Sequence, residues 1–130
     1  MARPRKPLEL KIIQGSRRLD NPGVTLPPVA AVPTAPDWLP NAAAVREWKR
    51  LAALLTATRI LAEADLATLG HLCAVHGKIV QLWAAGEAPT GHLLAQHNAL
   101  AAAFGLAPAW RARVRPSDPP RDNPFSRFRK

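Results

Sequence analysis

Leu66-Ala67-Thr68-Leu69-Gly70-His71-Leu72-Cys73-Ala74-Val75-His76-Gly77-Lys78-Ile79-Val80-Gln81-Leu82-Trp83 is the stretch that decides the fold. Leu66, Leu69, Cys73, His76, Val80 and Trp83 recur at spacings of three and four, and so do Leu72, Val75, Ile79 and Leu82. Side chains spaced this way line one side of an α-helix. The pattern predicts a helix over residues 63–85 with two adjacent apolar stripes, leaving Ala67, His71, Ala74, Lys78 and Gln81 to face water. Glu63 and Asp65 fall in its first turn, where the helix dipole favours acids, and Gly86 and Pro89 close it. The apolar face is wider than the stripe of somewhat over ~100° that a helix in a small monomer buries. Two arrangements accommodate it: a central helix enclosed within one chain, or a helix packed on both its hairpin partners and a second copy. With so little chain available as cover, self-association is the expectation, through Leu72, Val75, Ile79 and Leu82.

On the N-terminal side, Asn41 is a candidate N-cap, and Val45, Trp48, Leu51 or Ala52, and Leu55 follow at helical spacing, predicting a helix over 42–57. Residues 58–62 connect it to the long helix. On the C-terminal side, Leu93 or Leu94, His97, Leu100 and Phe104 mark a third helix of 92–104, closed by Gly105. Pro108 suits the first position of a last short helix carrying Trp110 and the arginines 111, 113 and 115. Six prolines between residues 20 and 40 (Pro22, Pro27, Pro28, Pro33, Pro36, Pro40) make that stretch a semi-rigid linker. Pro4 and Pro7 keep residues 1–7 extended. Leu8, Ile12 and Ile13 then form one or two amphipathic turns, closed by Gly15, that are too short to be stable unless docked. The expected fold is all-α: a helical hairpin core with short flanking helices, an extended basic N-terminal arm and a C-terminal tail. It divides into a basic arm with a short helix (1–19), a proline-rich linker (20–40), a helical oligomerisation core (41–115) and a basic tail (116–130).

The 130 residues carry 18 Lys and Arg against nine acids, a formal charge of +9, and the excess sits at the ends. Residues 1–20 hold six basic residues against two acids, and residues 106–130 hold seven against two. Between Asp37 and Gly105, five basic residues balance five acids. Charge placed on terminal segments can reach a polyanion without forcing repulsion into the core; the plainer alternative is that it keeps the chain in solution. The nucleic-acid candidates are Arg3, Arg5, Lys6, Lys11, Arg17 and Arg18 in the arm. At the other end Arg111, Arg113, Arg115, Arg121, Arg127, Arg129 and Lys130 interleave with Trp110, Phe125 and Phe128. Guanidinium groups match phosphate geometry, and aromatics can stack on bases or dock on a protein. Neither group contains a code for reading base edges, and the long helix is too apolar to lie in a DNA groove as a helix-turn-helix would.

Catalytic patterns are missing from the sequence. There is no phosphate loop, no paired carboxylates in a shared apolar setting, and no nucleophile followed by a plausible base, so an enzyme is not expected. His71 and His76 are five apart, as are His92 and His97, which puts each pair about 140° apart around a helix. Helical metal pairs use spacings of three or four, and the single cysteine, Cys73, adds no zinc pattern, so no metal or cofactor is expected. His97 reads as a core or interface residue, His71 as exposed, and Cys73 as a buried thiol in a reducing compartment. Arg3, Arg5 and Lys6 have no apolar run behind them, as a secretory signal would, and His71, His76, Lys78 and Gln81 interrupt the most apolar stretch. The expectation is a soluble cytoplasmic protein.

The order of short motifs resembles that of phage terminase small subunits. An Arg3-Pro4-Arg5-Lys6-Pro7 arm precedes Leu10-Lys11-Ile12-Ile13-Gln14-Gly15-Ser16-Arg17-Arg18. After the proline linker come Pro36-Asp37-Trp38-Leu39, Trp48-Lys49-Arg50-Leu51, Ile60-Leu61 with Asp65, the segment from Leu69 to Cys73, and Gly105-Leu106-Ala107-Pro108 with Arg111-Ala112-Arg113. The likeness covers residues 3–115; each piece alone is weak, and the ordered set is fairly specific. One departure is the connection after the long helix: similar chains carry a longer one containing glycine, and here residues 86–91 suffice. The tail beyond Pro116 lies outside the likeness. The resemblance implies a ring oligomer in the host cytoplasm that recognises double-stranded viral DNA at the start of packaging and regulates the large terminase subunit, which hydrolyses ATP and cuts DNA. By position it makes Arg3, Arg5, Lys6, Lys11, Arg17 and Arg18 the DNA contacts and the central hairpin the assembly core. Arg111, Arg113, Arg115, Phe125, Arg127, Phe128 and Arg129 would contact either DNA or the large subunit. The competing classes are a small nucleoid or transcription-type DNA-binding protein, and an assembly adaptor that binds no DNA.

Overall fold

A computed structural model of the chain describes residues 25–114 and 116. Helix α1 spans Ala42–Ala57, α2 spans Leu66–Ala84, α3 spans Gly91–Ala103, and α4 is a single turn, Pro108–Arg111. Among the described residues the fold is all-helical, with one isolated bridge, Pro28 to Ala62, in place of any strand. The start of the long helix differs from the sequence reading. Glu63–Asp65 wind as a 3-10 turn, and the Asp65 carboxylate accepts the Ala62 N–H at 3.0 Å, so the α-helix begins at Leu66.

Side-chain caps start two of the helices and one backbone motif ends three. Asn41 Oδ1 accepts the Ala44 N–H at 2.9 Å, and Thr90 Oγ1 accepts the Leu93 N–H at 3.2 Å. At the other ends, the N–H groups of Ile60, Glu87 and Leu106 reach back to the carbonyls of Leu55, Leu82 and Ala101, at 3.0, 2.9 and 3.1 Å. Each of these Schellman closures needs one residue at positive φ. Gly86 and Gly105 supply it at 74° and 69°, whereas α1 uses Arg59 at 59°, a conformation that crowds a Cβ.

The core forms because α2 lies between α1 and α3 and packs on both. Trp48, Leu51, Ala52 and Leu55 from α1 meet Leu61, then Leu69, Leu72 and Cys73 from α2, and Phe104 past the end of α3. Gly70 and Gly77, seven apart, are also buried, and Gly77 lies close against Asn41 and Ala44 at the start of α1. Asn41 joins the two helices there: besides capping α1, its Nδ2 donates to the Gly77 carbonyl at 3.0 Å. Asn41→Ala removes both bonds and is expected to lower unfolding stability by about 1–2 kcal/mol, while Asn41→Ser keeps a capping oxygen and loses only the bond to Gly77, at a smaller cost. Urea denaturation should rank the variants in that order.

The described part of the proline-rich stretch lies against this core. Proline lacks an N–H but keeps its carbonyl, so it can only accept, and Pro33 O accepts the Trp48 indole N–H at 3.1 Å. The Val29 N–H donates to Leu61 O at 2.9 Å, and Val29, Ala35 and Leu39 pack on the core. Trp38 lies over Gly70 with its ring 5.3 Å from that of His71. By contrast α3 has no buried residue, although Leu93, Leu94, Leu100 and five alanines are among its 13 residues.

Candidate functional site

The arm candidates Arg3, Arg5, Lys6, Lys11, Arg17 and Arg18 lie outside the described residues, as do Arg115, Phe125, Arg127, Phe128 and Arg129. The structure therefore places two of the basic candidates, both at α4. Arg111 ends that turn, and its guanidinium reaches the Leu106 carbonyl at 3.5 Å. The guanidinium of Arg113 stands over the Trp110 ring, 4.4 Å from its centroid. Both arginines are exposed and so is Trp110, so this cation–π pair contributes on the order of 0.5–1 kcal/mol and leaves the positive charge facing solvent. The interleaving of aromatic and basic residues seen in the sequence is thus a direct stack at this position.

The four candidates for an oligomer interface divide. Leu72 is 1% exposed and Ile79 is 8% exposed, both enclosed by the chain's own helices, so Leu72 has no surface to offer a second copy and Ile79 almost none. Val75 and Leu82 remain half-buried. The open apolar surface of this helix shifts to Trp83, 58% exposed, with Leu94 of α3 also exposed. The physical reason is that α2 packs on both α1 and α3, so a wide arc of the helix is covered within one chain, the first of the two arrangements that its apolar stripes allow.

A second cluster joins all three long helices. Glu47 of α1 accepts a fork of hydrogen bonds from Arg50, at 2.6 and 3.0 Å. His76 Nε2 of α2 lies 3.9 Å from the same carboxylate, and the His76 and His97 rings are 5.8 Å apart between α2 and α3. The Arg50 hydrogen bond holds the Glu47 carboxyl below its ordinary range, with the nearby histidines adding to the effect and burial opposing it. Burial pushes His97 down, aided by His76 and opposed by Asn98 and Glu47. Spacing along one helix separates the histidines, and it is the packing of α2 on α3 that brings His76 and His97 together.

The chain matches no protein-family model, no curated protein and no solved structure.

Chemically this cluster can hold charge and shed protons, and its donors do not suit a metal. Both Glu47 oxygens are committed to a guanidinium, and among the described residues no three ligating groups are placed to share an ion. Cys73 lies close by, but burial pushes its thiol up to about 12, so little nucleophilic thiolate forms near neutrality. Among the described residues no helix is long and apolar enough to cross a membrane.

The cluster makes stability depend on pH. Unfolded His97 takes a proton near 6.5, whereas folded His97 resists it, so stability is full above 6.5 and falls as the pH drops through the interval below. Glu47 adds a second loss below 4.5, where the unfolded carboxyl is protonated and the folded one stays ionised. Melting temperature followed against pH should show both losses, and His97→Gln should remove the first and keep the second. An unchanged first step in that variant would place the titrating group elsewhere.

Proposed function

We propose that this chain is the small subunit of a phage terminase, acting in the host cytoplasm as a ring-shaped assembly that recognises viral DNA and regulates the large subunit. The observation that carries this reading is the convergence of the motif segments. Trp38 of Pro36-Asp37-Trp38-Leu39 lies on Gly70 within the Leu69 to Cys73 segment, and Trp48 packs in one cluster with Leu69 and Cys73. Phe104 leads into Gly105-Leu106-Ala107-Pro108 from that same cluster. Residues far apart in sequence thus act as one unit, as an ordered set of family motifs would.

Charge supports the division of labour. The neutral helical middle suits assembly, and the basic ends suit phosphates. Open apolar surface at Trp83 and Leu94, with no buried residue on α3, supports packing of the hairpin against further copies. ATP hydrolysis and DNA cleavage fall to the large subunit, and the DNA contacts to Arg3, Arg5, Lys6, Lys11, Arg17 and Arg18.

The deciding experiment adds the purified protein to the large terminase subunit from the same genome and measures ATPase rate with and without DNA. A changed rate together with a closed-ring mass in native mass spectrometry supports the reading. A dimer that leaves the ATPase unaffected would instead favour a nucleoid or transcription-type protein. DNA affinity should fall with salt at a log-log slope of about −0.9 per phosphate neutralised, and neutralising Arg3, Arg5 and Lys6 together should flatten that slope.

A further inference from the structure

The C-terminal half of α1 and the connection from α3 to α4 enclose a groove of about 500 Å³, a volume typical of a binding pocket. Phe104, 5% exposed, lines it from the core, and Leu54, Leu106 and Val114 add further apolar surface. Leu54 is 44% exposed, although it sits on a helix whose other side is fully packed. Val114 can close over the groove because Gly105 has no Cβ; one built there would stand 2.9 Å from the valine side chain. Two of the lining residues are arginines, Arg50 and Arg111, and none is acidic. Glu47 steadies the first guanidinium and the Leu106 carbonyl steadies the second, so both cations are held beside the apolar surface.

We propose that this groove docks an acidic peptide segment of another protein, with apolar side chains seated on Leu54, Leu106 and Val114 and a carboxylate at Arg111. Charge complementarity selects this occupant. A nucleic acid would satisfy the arginines and leave the apolar surface unused, since buried Phe104 offers no face for stacking. A second copy seated groove to groove would set Arg111 against Arg111, with no acid in the lining to offset the pair. Residues 117–130 of this chain carry four basic residues against two acids and match the arginines poorly. The proposal stands on the lining of the groove and holds whether or not the chain serves DNA packaging.

The test presents the full-length protein with an array of dodecapeptides that carry leucines at helical spacing and, between them, glutamates, glutamines or lysines. The glutamate arm should bind about tenfold tighter than the lysine arm, and Arg111→Gln should cancel that advantage, the order expected for one charge-assisted hydrogen bond. Leu54→Ser should weaken every arm. Both side chains are exposed, so helix content by circular dichroism should stay unchanged, and the methyl resonances of Leu54 and Val114 should shift on binding. Equal binding of all arms, an Arg111→Gln variant that keeps the preference, or no binding by any arm would overturn the proposal. Methyl shifts driven by protein concentration alone would give the groove to a second copy. Nuclear Overhauser contacts from these methyls to Phe125 or Phe128 in the peptide-free chain would give it to the chain's own tail.

Discussion

Trp48→Ala is expected to lower unfolding stability by about 3–5 kcal/mol, the range for truncating a large buried aromatic. Trp48 is 2% exposed and is the largest of the fully enclosed side chains, with Leu51 and Leu55 following it on the same face of α1. Its removal leaves a cavity that helices capped at both ends cannot easily collapse into. It also strands the Pro33 carbonyl, whose hydrogen bond from the indole holds the proline segment on the core. Domains of this size have about 0.05–0.15 kcal/mol of stability per residue, so the loss is a large share of the total. Thermal unfolding should show it as a fall in Tm of more than about 12 °C. Trp48→Phe separates the two effects: it keeps most of the volume and loses the hydrogen bond, at about 1 kcal/mol. That variant should be cut faster by protease between residues 25 and 35 while its helices stay folded. If Trp48→Ala unfolds within about 1 kcal/mol of the parent, the core is organised around other residues.

The helices were legible because their signals are local. Asn41, the spacing of Val45, Trp48 and Leu55, and the closing glycines are enough to place α1 at Ala42–Ala57 and to put α3 within one residue of its observed ends. The 3-10 entry to α2 was not, since an acid in the first turn suits either winding and Asp65 settles it by bonding back to Ala62. The contacts of the proline stretch were also hidden: a run rich in proline reads as a spacer, and only Trp48 in three dimensions shows that a proline carbonyl is an acceptor worth reaching. The cluster of Glu47, His76 and His97 was missed for a related reason. Periodicity reports which residues share a helix face, whereas these three meet because three different helices meet. Arg111 could be singled out by charge, but its place at an apolar groove depends on Gly105 and Val114, whose proximity no spacing announces. A count of apolar stripes offers Leu72 to a second copy, because it does not show that α1 and α3 cover two sides of α2. Nor does such a count weigh glycine, which is invisible to a search for large side chains although it decides how near a neighbour can come.

That last point leads to the second large effect, at Gly77. Replacing a mid-helix glycine by alanine ordinarily stabilises a helix, by about 0.8–1 kcal/mol. Gly77→Ala is expected to do the opposite, with a net loss of about 2 kcal/mol, because the added methyl overfills a tight interface. A Cβ there would lie 2.5 Å from Asn41 Oδ1, 2.8 Å from the Ala44 Cβ and 3.1 Å from the Ala44 nitrogen. Asn41 could rotate away only by giving up its cap on Ala44 and its bond to the Gly77 carbonyl. Ala44 is fully buried on α1, so relief on that side means moving the whole helix. Gly70→Ala is the control. Its Cβ would meet the Trp38 ring at 2.6 Å, but that indole is exposed at the edge of the fold and can swing outward. The same substitution seven residues away should therefore cost far less and recover part of the helix gain. Urea melts of the two variants measure the difference directly. If Gly77→Ala proves neutral, α1 and α2 must be free to separate; if it matches Gly70→Ala, the close approach at Asn41 and Ala44 does not set the helix spacing. With Gly77→Leu, which cannot be accommodated by side-chain rotation alone, cooperative unfolding itself should be lost, because α1 would have to leave the groove on α2 that its N-terminal turn occupies.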